Sequence, residues 1–365
     1  MKIKDIVQLL DEFAPPFYQE SYDNAGLITG NSSLDCTGVI CTLDATEEVI
    51  LEAIEKGCNL IVAHHPIIFG GLKKITGKSY VERAVITAIK NDVSIYAIHT
   101  NLDNLLEGVN GRMADKLGLK NRKILLHKLN TLMKLYVYVP IGDAPKLREA
   151  IFKAGAGTIG NYSECSFNIQ GTMTFTPGEG TNPYVGETGK REVSPEEKIE
   201  AILPAYLREK VVAAMMEAHL YEEVAYDLVP VNNSLTNAGS GLTGELPEEM
   251  DENAFLQLVK QQFNLQVVRH TPLLKKKVKK VALCGGAGSF LIKNAVASGA
   301  DFYITSDVKY HEYFDAESTM VIADIGHWES EQFTVDLLYD FLHAKNTTFA
   351  VLKSTVKTNP VNYFI

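Results

Sequence analysis

The hydrophobic pattern of the first third of the chain alternates between short apolar runs and amphipathic stretches. Apolar runs at residues 38–43, 59–63 and 93–98 predict three buried strands. Between them, one predicted helix is capped at Asp44 and ends at Gly57, and a second spans residues 80–90. Strands that alternate with helices favour a parallel or mixed sheet of the α/β class.

The last third of the chain shows the same alternation. Predicted strands span residues 279–284, 301–305 and 319–324, and predicted helices span residues 289–298 and 327–343. In each third, a helix end, a glycine and an aliphatic strand follow one another, at residues 56–62 and again at 298–304. This similarity between the two segments predicts two similar α/β halves that form one split domain around a cleft.

The middle of the chain has a different pattern. It predicts strands at 132–139, 166–176 and 222–230, helices at 144–154 and 207–219, and a helix start at Ser194. This order favours a ferredoxin-like α+β unit inserted between the halves. The predicted organisation is therefore an N-terminal half over residues 1–127, an inserted domain over 128–235, and a C-terminal half over 236–365.

Composition and charge narrow the function classes. The 365 residues are 46% hydrophobic and carry a formal net charge of −10, which argues against a nucleic-acid binder. No apolar run approaches the roughly 20 residues that a membrane helix needs, and the first residues predict an amphipathic helix rather than a signal peptide. Five scattered cysteines without a CxxC motif suit reduced thiols. We therefore expect a cytoplasmic protein without membrane partners.

Metal-ligand residue types concentrate where predicted strands end. His64 and His65 end one strand, Asp103 follows another, and His327 and Glu331 share one face of the helix after a third. Taken singly, these residues are more typical of the core, a cap or a solvated helix pair. Because the carboxyl ends of strands converge on one crevice in α/β sheets, their joint placement predicts a metal site. Three imidazoles and two carboxylates match a pair of divalent ions better than one ion.

Two further features lie near these strand ends. His99 and His311 are candidates for ligands, outer partners or proton shuttles. Gly285, Gly286 and Gly288 predict a turn between a strand and a helix, whose N–H groups can hold an anion, and a plain turn is the alternative.

At these residues the chain resembles the Nif-three-like family, whose members are also labelled GTP cyclohydrolase I type 2 homologues. The matching motifs are Tyr22-Asp23-Asn24-Ala25-Gly26-Leu27, Ala63-His64-His65-Pro66, His99-Thr100-Asn101-Leu102-Asp103, Thr305-Ser306-Asp307 with Tyr310-His311, and Asp324-Ile325-Gly326-His327 with Glu331. They cover both outer segments. The middle looks like the insert of the longer bacterial members, which is similar to PII and CutA-like domains.

The resemblance implies a two-metal centre in a cleft of a homohexamer. It implies that His65 and Asp103 bind one ion, that His64 and His327 bind the other, and that Glu331 bridges them. Zinc or iron are the expected metals, with manganese as an alternative. The implied function is a metal-dependent hydrolase, a GTP cyclohydrolase or phosphoesterase, acting on a nucleotide-like or phosphorylated substrate. The alternative is a non-catalytic hexamer that senses a metal or ligand.

Overall fold

The structure is a computed structural model that describes residues 1–345 and 349–364. It contains two compact units. The larger consists of Met1–His127 together with the chain from Thr236 onward, and the smaller of Lys128–Leu235. Within the described residues, no helix combines the length and the apolar character that crossing a membrane requires.

The first segment of the larger unit alternates strands and helices. Its strands are β1 (Gly26–Thr29), β2 (Gly38–Asp44), β3 (Leu60–His65), β4 (Ser94–Ala97) and β5 (Lys120–His127), and its helices are α1 (Ile3–Phe13), α2 (Glu47–Glu55), α3 (Tyr80–Lys90), α4 (Thr100–Asp103) and α5 (Val109–Lys116). The N-cap of α2 is Thr46 rather than the expected Asp44, since the Thr46 hydroxyl accepts from the N–H of Val49. Gly57, just past α2, has the left-handed φ of +68° that ends many helices.

The smaller unit is a four-stranded sheet with two helices. Its elements in chain order are β6 (Leu132–Pro140), α6 (Ala144–Lys153), β7 (Phe167–Phe175), β8 (Glu192–Pro204), α7 (Arg208–Ala218) and β9 (Tyr226–Val231). The strand order is β7-β8-β6-β9, and every neighbouring pair is antiparallel. Its core includes Leu135, Ile151 and Val211, from β6, α6 and α7.

The predicted helix start at Ser194 is wrong, because Ser194 lies inside β8. The Ser-Pro-Glu-Glu signature is local, whereas the residues after it alternate between buried and partly exposed positions, with Ile199, Ala201 and Leu203 buried. That period of two fits a strand. A strand here pairs with both β6 and β7, and Pro195 lies where β8 pairs with β7 alone.

The last segment of the larger unit returns to the α/β pattern. Its elements are β10 (Gly239–Asp251), α8 (Glu252–Gln262), β11 (Arg269–His270), β12 (Lys277–Ala287), α9 (Ile292–Ala297), β13 (Phe302–Ser306), β14 (Val321–Asp324), α10 (His327–Glu331), α11 (Thr334–Lys345) and β15 (Ala350–Lys353). The single helix expected over 327–343 is therefore two helices. The side-chain amide of Gln332 donates to the Glu329 carbonyl. In an unbroken helix, that carbonyl would instead accept from the backbone N–H four residues later.

The larger unit has two sheets whose central strands are parallel. The first has the order β1-β4-β3-β2-β15, and the second has the order β11-β14-β13-β12-β10-β5. Strand β3 is buried on both faces, because Leu60 and Val62 pack in one cluster with α1 and α11 while Ile61 and Ala63 pack with α2 and α3. This two-sided burial explains the continuous apolar run in its sequence.

Candidate metal centre

The parallel strands position the predicted ligands at their carboxyl ends. His64 and His65 are the last residues of β3, and Asp103 ends the short helix α4 that follows β4. His327 and Glu331 begin and end α10, one turn apart, directly after β14. The larger unit thus brings all five predicted ligand residues into one cluster.

The first group of side chains in this cluster contains His64, Asp103 and Glu331. The Nε2 atom of His64 lies 3.5 Å from Asp103 Oδ1 and 3.8 Å from Glu331 Oε1. Both His64 Nε2 and Asp103 Oδ1 are buried without a hydrogen-bond partner. Since buried polar atoms are rarely left unpaired, this donor set fits a cation that would satisfy both atoms.

The second group contains His65, His327 and Glu331. The other carboxylate oxygen of Glu331, Oε2, lies 2.9 Å from His65 Nε2 and 3.2 Å from His327 Nε2. Glu331 therefore presents one oxygen to each group, as a bridging carboxylate does. The grouping differs from the one that the resemblance implies, because the side chain beside Asp103 is His64 rather than His65.

Hydrogen bonds on the far side of each ring fix the orientation of the imidazoles. The Nδ1 atom lies 2.8 Å from the Ile98 carbonyl oxygen in His64, 2.8 Å from Asp44 Oδ1 in His65, and 2.5 Å from Asp307 Oδ2 in His327. Because these partners only accept, each Nδ1 donates and each Nε2 is turned towards Glu331. Metal-binding histidines use this arrangement to fix the ring and its tautomer.

Sequence reasoning missed the carboxylates that hold two of these rings, Asp44 and Asp307. Both lie at strand ends, since Asp44 is the last residue of β2 and Asp307 directly follows β13. Asp307 also has a left-handed backbone with φ of +55°, which Asp adopts more readily than most residues. The same strand-end rule that selected Asp103 could have found both.

The carboxylates around His65 and His327 favour the protonated forms of these two imidazoles. Burial disfavours a charged imidazole, but the carboxylates outweigh burial and raise the pKa of His65 to about 10 and that of His327 to about 11. Burial would likewise raise the pKa of Glu331, yet hydrogen bonds from the imidazoles hold it well below its usual value. Because metal binding needs the Nε2 lone pairs, a bound ion would displace these protons.

The two candidate proton shuttles lie in different surroundings. His99 forms a third possible ligand group with His64 and His65, and its ring centroid lies 5.3 Å from that of His64 and 5.4 Å from that of His65. Its Nδ1 atom lies 2.7 Å from Asp23 Oδ1. The ring contacts of His311 are instead with Tyr310 and Phe314, and His311 belongs to none of the ligand groups found among the described residues.

The glycine-rich segment does not form the expected anion-binding turn, since Gly285 and Gly286 belong to β12. Three of its N–H groups donate to side chains: Gly285 to Asn110 Oδ1, Gly286 to Ser330 Oγ, and Gly288 to Thr305 Oγ1. These groups are therefore not available to a phosphate. Gly286 instead lets the strand approach Glu331, because a Cβ atom there would lie 2.3 Å from Glu331 Oε1.

A cavity of about 890 Å³ opens onto the cluster within the larger unit. Its wall includes the exposed aromatic rings of Tyr22, Phe69 and Phe290. Arg269 is its only arginine or lysine among the described residues, and its guanidinium pairs with the buried carboxylate of Asp324. The cavity is large enough for a drug-sized ligand and offers that ligand aromatic faces, carboxylates and one fixed cation.

Comparisons with known proteins identify relatives that match nearly the whole chain. The Duf34/NIF3 (NGG1p interacting factor 3) family profile matches residues 1–360. A Halalkalibacterium halodurans protein named GTP cyclohydrolase 1 type 2 homolog is 41% identical over 363 residues, covering 98% of each chain. A Bacillus subtilis protein of the same name is 36% identical, covering 99% of this chain and 98% of its own.

A solved structure shows the same architecture. The crystal structure of a Bacillus cereus protein related to NIF3 is similar with a TM-score of 0.87 and 38% identity, covering 100% of this chain and 99% of the other. The family match and the identities across nearly the full chain lead to one conclusion. The chain belongs to the DUF34/NIF3 family.

Proposed function

We propose that this protein binds two divalent metal ions and is a metal-dependent hydrolase. The observation that carries the proposal is the position of Glu331, whose two carboxylate oxygens face two separate groups of ligand atoms. His64 and Asp103 would complete one ion site, and His65 and His327 the other. Two bound ions would activate a water molecule and stabilise negative charge on a phosphate or carbonyl oxygen.

The chain's own residues have separate tasks in this proposal. Asp44 and Asp307 orient His65 and His327 through their Nδ1 atoms. His99, which Asp23 holds beside the cluster, is suited to carry a proton between the reacting centre and solvent. Zinc or iron suits this mixed set of imidazoles and carboxylates, and manganese is the alternative.

The substrate that we propose is nucleotide-like or phosphorylated. Relatives that carry the name GTP cyclohydrolase 1 type 2 homolog suggest a guanine nucleotide as the first compound to test. The exposed rings of Tyr22, Phe69 and Phe290 offer faces on which a planar base can stack. Because the glycine N–H groups are occupied, the ions and Arg269 are the groups left to hold phosphate.

A turnover screen tests this proposal. Metal-loaded wild type would be incubated with GTP, other nucleoside triphosphates and aryl phosphate esters, and formate and phosphate release would be measured. We expect turnover of at least one of these compounds, and a loss in Glu331→Gln that exceeds the about 10–100-fold cost of changing an outer partner. His343→Ala is the matched control, because that exposed histidine on α11 stacks on Tyr339 and is in none of the ligand groups that the described residues form.

Two results would contradict hydrolysis. Equal turnover by Glu331→Gln and wild type would separate the activity from the cluster. Tight binding of metal and nucleotide without any product would favour the alternative function, a non-catalytic hexamer that senses a ligand.

We also propose that the smaller unit, residues 128–235, is an inserted domain of the ferredoxin-like, PII/CutA-like type. Its order β-α-β-β-α-β and its antiparallel sheet support this assignment. The surrounding segments, residues 1–127 and 236–365, would then be two similar halves of one split domain, each supplying three neighbouring parallel strands of one sheet. The predicted assembly is a homohexamer.

A further inference from the structure

Residues 354–364, which follow β15, run beside the candidate metal centre without forming a helix or strand. At its start, Glu52 of α2 accepts hydrogen bonds from Ser354 and Thr355. Further along, the side-chain amide of Asn359 donates to Glu329 Oε1 at 2.9 Å, and Asn359 lines the cavity. This segment, residues 354–364, therefore connects the first sheet to α10 alongside the cluster.

Thr358 lies in the middle of this segment and makes two hydrogen bonds of opposite sense. The indole Nε1 of Trp328 is 3.3 Å from Thr358 Oγ1, and Thr358 Oγ1 is 2.5 Å from Asp44 Oδ2. Because an indole N–H only donates, the hydroxyl oxygen accepts from Trp328 and its proton points at Asp44. The same carboxylate, through Oδ1, accepts from His65 Nδ1.

These bonds form a directed chain from the segment to the cluster. The indole donates to the hydroxyl, the hydroxyl donates to Asp44, and Asp44 holds the ring whose Nε2 faces Glu331. With one oxygen bonded to Thr358 and the other to His65, the Asp44 carboxylate has little freedom to rotate. The orientation of His65 therefore depends on a hydroxyl that lies more than 290 positions later in the sequence.

The same arrangement occurs at a second imidazole of the cluster. The Thr100 hydroxyl donates to Asp23 Oδ2 at 2.5 Å, and Asp23 Oδ1 lies 2.7 Å from His99 Nδ1. Two threonine–aspartate–histidine chains thus hold neighbouring rings. In one the threonine, Thr100, is adjacent to its histidine in sequence, and in the other the threonine comes from the C-terminal segment. The repetition indicates that a hydroxyl behind the aspartate is part of how this cluster is oriented.

We propose that Thr358 is a positioning residue of the metal centre, which acts on His65 through Asp44. The inference rests on the proposed function, since it assigns Thr358 to the support of a metal ligand. Without the hydroxyl, Asp44 Oδ2 loses its donor and the carboxylate turns away from His65. The ion held by His65, His327 and Glu331 then binds more weakly, whereas the ion held by His64 and Asp103 is affected less.

The test compares Thr358→Val with the matched control Thr355→Val. Thr355 belongs to the same segment and also donates to a carboxylate, but its partner Glu52 contacts no residue of the cluster through the bonds found among the described residues. Metal-free protein would be titrated with Zn²⁺ in competition with a chromophoric chelator. Trp328, the single tryptophan of the chain, gives an independent fluorescence signal beside His327.

We expect Thr358→Val to weaken one of two zinc-binding steps by about 10–100-fold, the usual effect of removing an outer partner. Thr355→Val should bind zinc as wild type does, and Thr358→Ser, which keeps the hydroxyl, should recover most of the affinity. Thermal unfolding of each metal-free variant would confirm that the comparison is made between folded proteins.

Three results would overturn the inference: equal zinc affinity in Thr358→Val and wild type, equal weakening in Thr355→Val, or no recovery in Thr358→Ser. Failure of the proposed function is distinguishable from these. If the two-metal site is wrong, wild type itself will bind fewer than two zinc ions, and if only hydrolysis is wrong, wild type will bind two zinc ions without turnover.

Discussion

Gly286 determines how closely β12 approaches the bridging carboxylate. Its φ is +64°, and an added Cβ atom would lie 2.3 Å from Glu331 Oε1 and 3.5 Å from His327 Cε1. Gly286→Ala should therefore push Glu331 out of position and lower the zinc content of the protein. Gly299→Ala is the control, because Gly299 has a similar φ of +73° but open space around its missing Cβ.

We expect both glycine variants to lose about 1 kcal/mol of folding free energy from the left-handed backbone, and only Gly286→Ala to lose metal. Zinc content by elemental analysis, together with urea unfolding, separates the two effects. Equal zinc in the two variants would mean that the close approach of Gly286 is unimportant for the cluster.

At the level of single residues, the sequence located the members of the cluster better than it located their supports. The five proposed ligands were recognisable because each carries a ligand atom and lies at or after a strand end: His64, His65, Asp103, His327 and Glu331. The supports act over long sequence distances, as the Thr358 contact with Asp44 shows. Periodicity and spacing contain no information about such contacts, which arise only when the sheets are assembled.

Among the elements, α2 and the segment after β15 are joined by one buried carboxylate. Glu52 is 7% exposed and accepts hydrogen bonds from Lys56, Ser354 and Thr355. Burial opposes its ionisation, but these donors outweigh burial and lower its pKa to about 2. A carboxyl group with a lowered native pKa stabilises the fold above its ordinary pKa, near 4.5, and loses that effect as the pH falls towards 2.

We expect Glu52→Gln to lower the free energy of unfolding by about 1–3 kcal/mol at pH 7. The difference from wild type should shrink as the pH falls below about 4.5, because Glu52 then takes up a proton in the unfolded chain but stays ionised in the folded one. Urea unfolding of both metal-free proteins at pH 7, 5 and 3.5 measures this trend. A difference that stays constant down to pH 3.5 would contradict the role assigned to ionised Glu52.

Local signals predicted the elements well where pattern and packing agree. The helix expected over residues 80–90 is α3. Its apolar spacing and its Ser79 cap both favour a helix there. At Ser194 the local helix signal was wrong, because pairing with β6 and β7 outweighs a favourable cap. The break after Glu331 also escaped prediction, since it depends on Gln332 reaching the carbonyls of Glu329 and Phe263.

For the whole molecule, the predicted assembly is a homohexamer. Sedimentation equilibrium of the full chain should then give a mass near six times 40.3 kDa. A trimer or dimer that forms the hexamer on concentration agrees with the prediction, since the resemblance implies assembly from such units. A monomer at every concentration would contradict it.

In the proposed metal centre, one carboxylate, Glu331, bridges two metal sites. The most direct measurement is the metal content per chain of wild type, His64→Ala and Glu331→Ala after loading with zinc and removal of excess metal, with His343→Ala as the control. We expect two ions in wild type and in the control, about one in His64→Ala and close to none in Glu331→Ala. Unchanged metal content in both His64→Ala and Glu331→Ala would contradict the bridging role of Glu331.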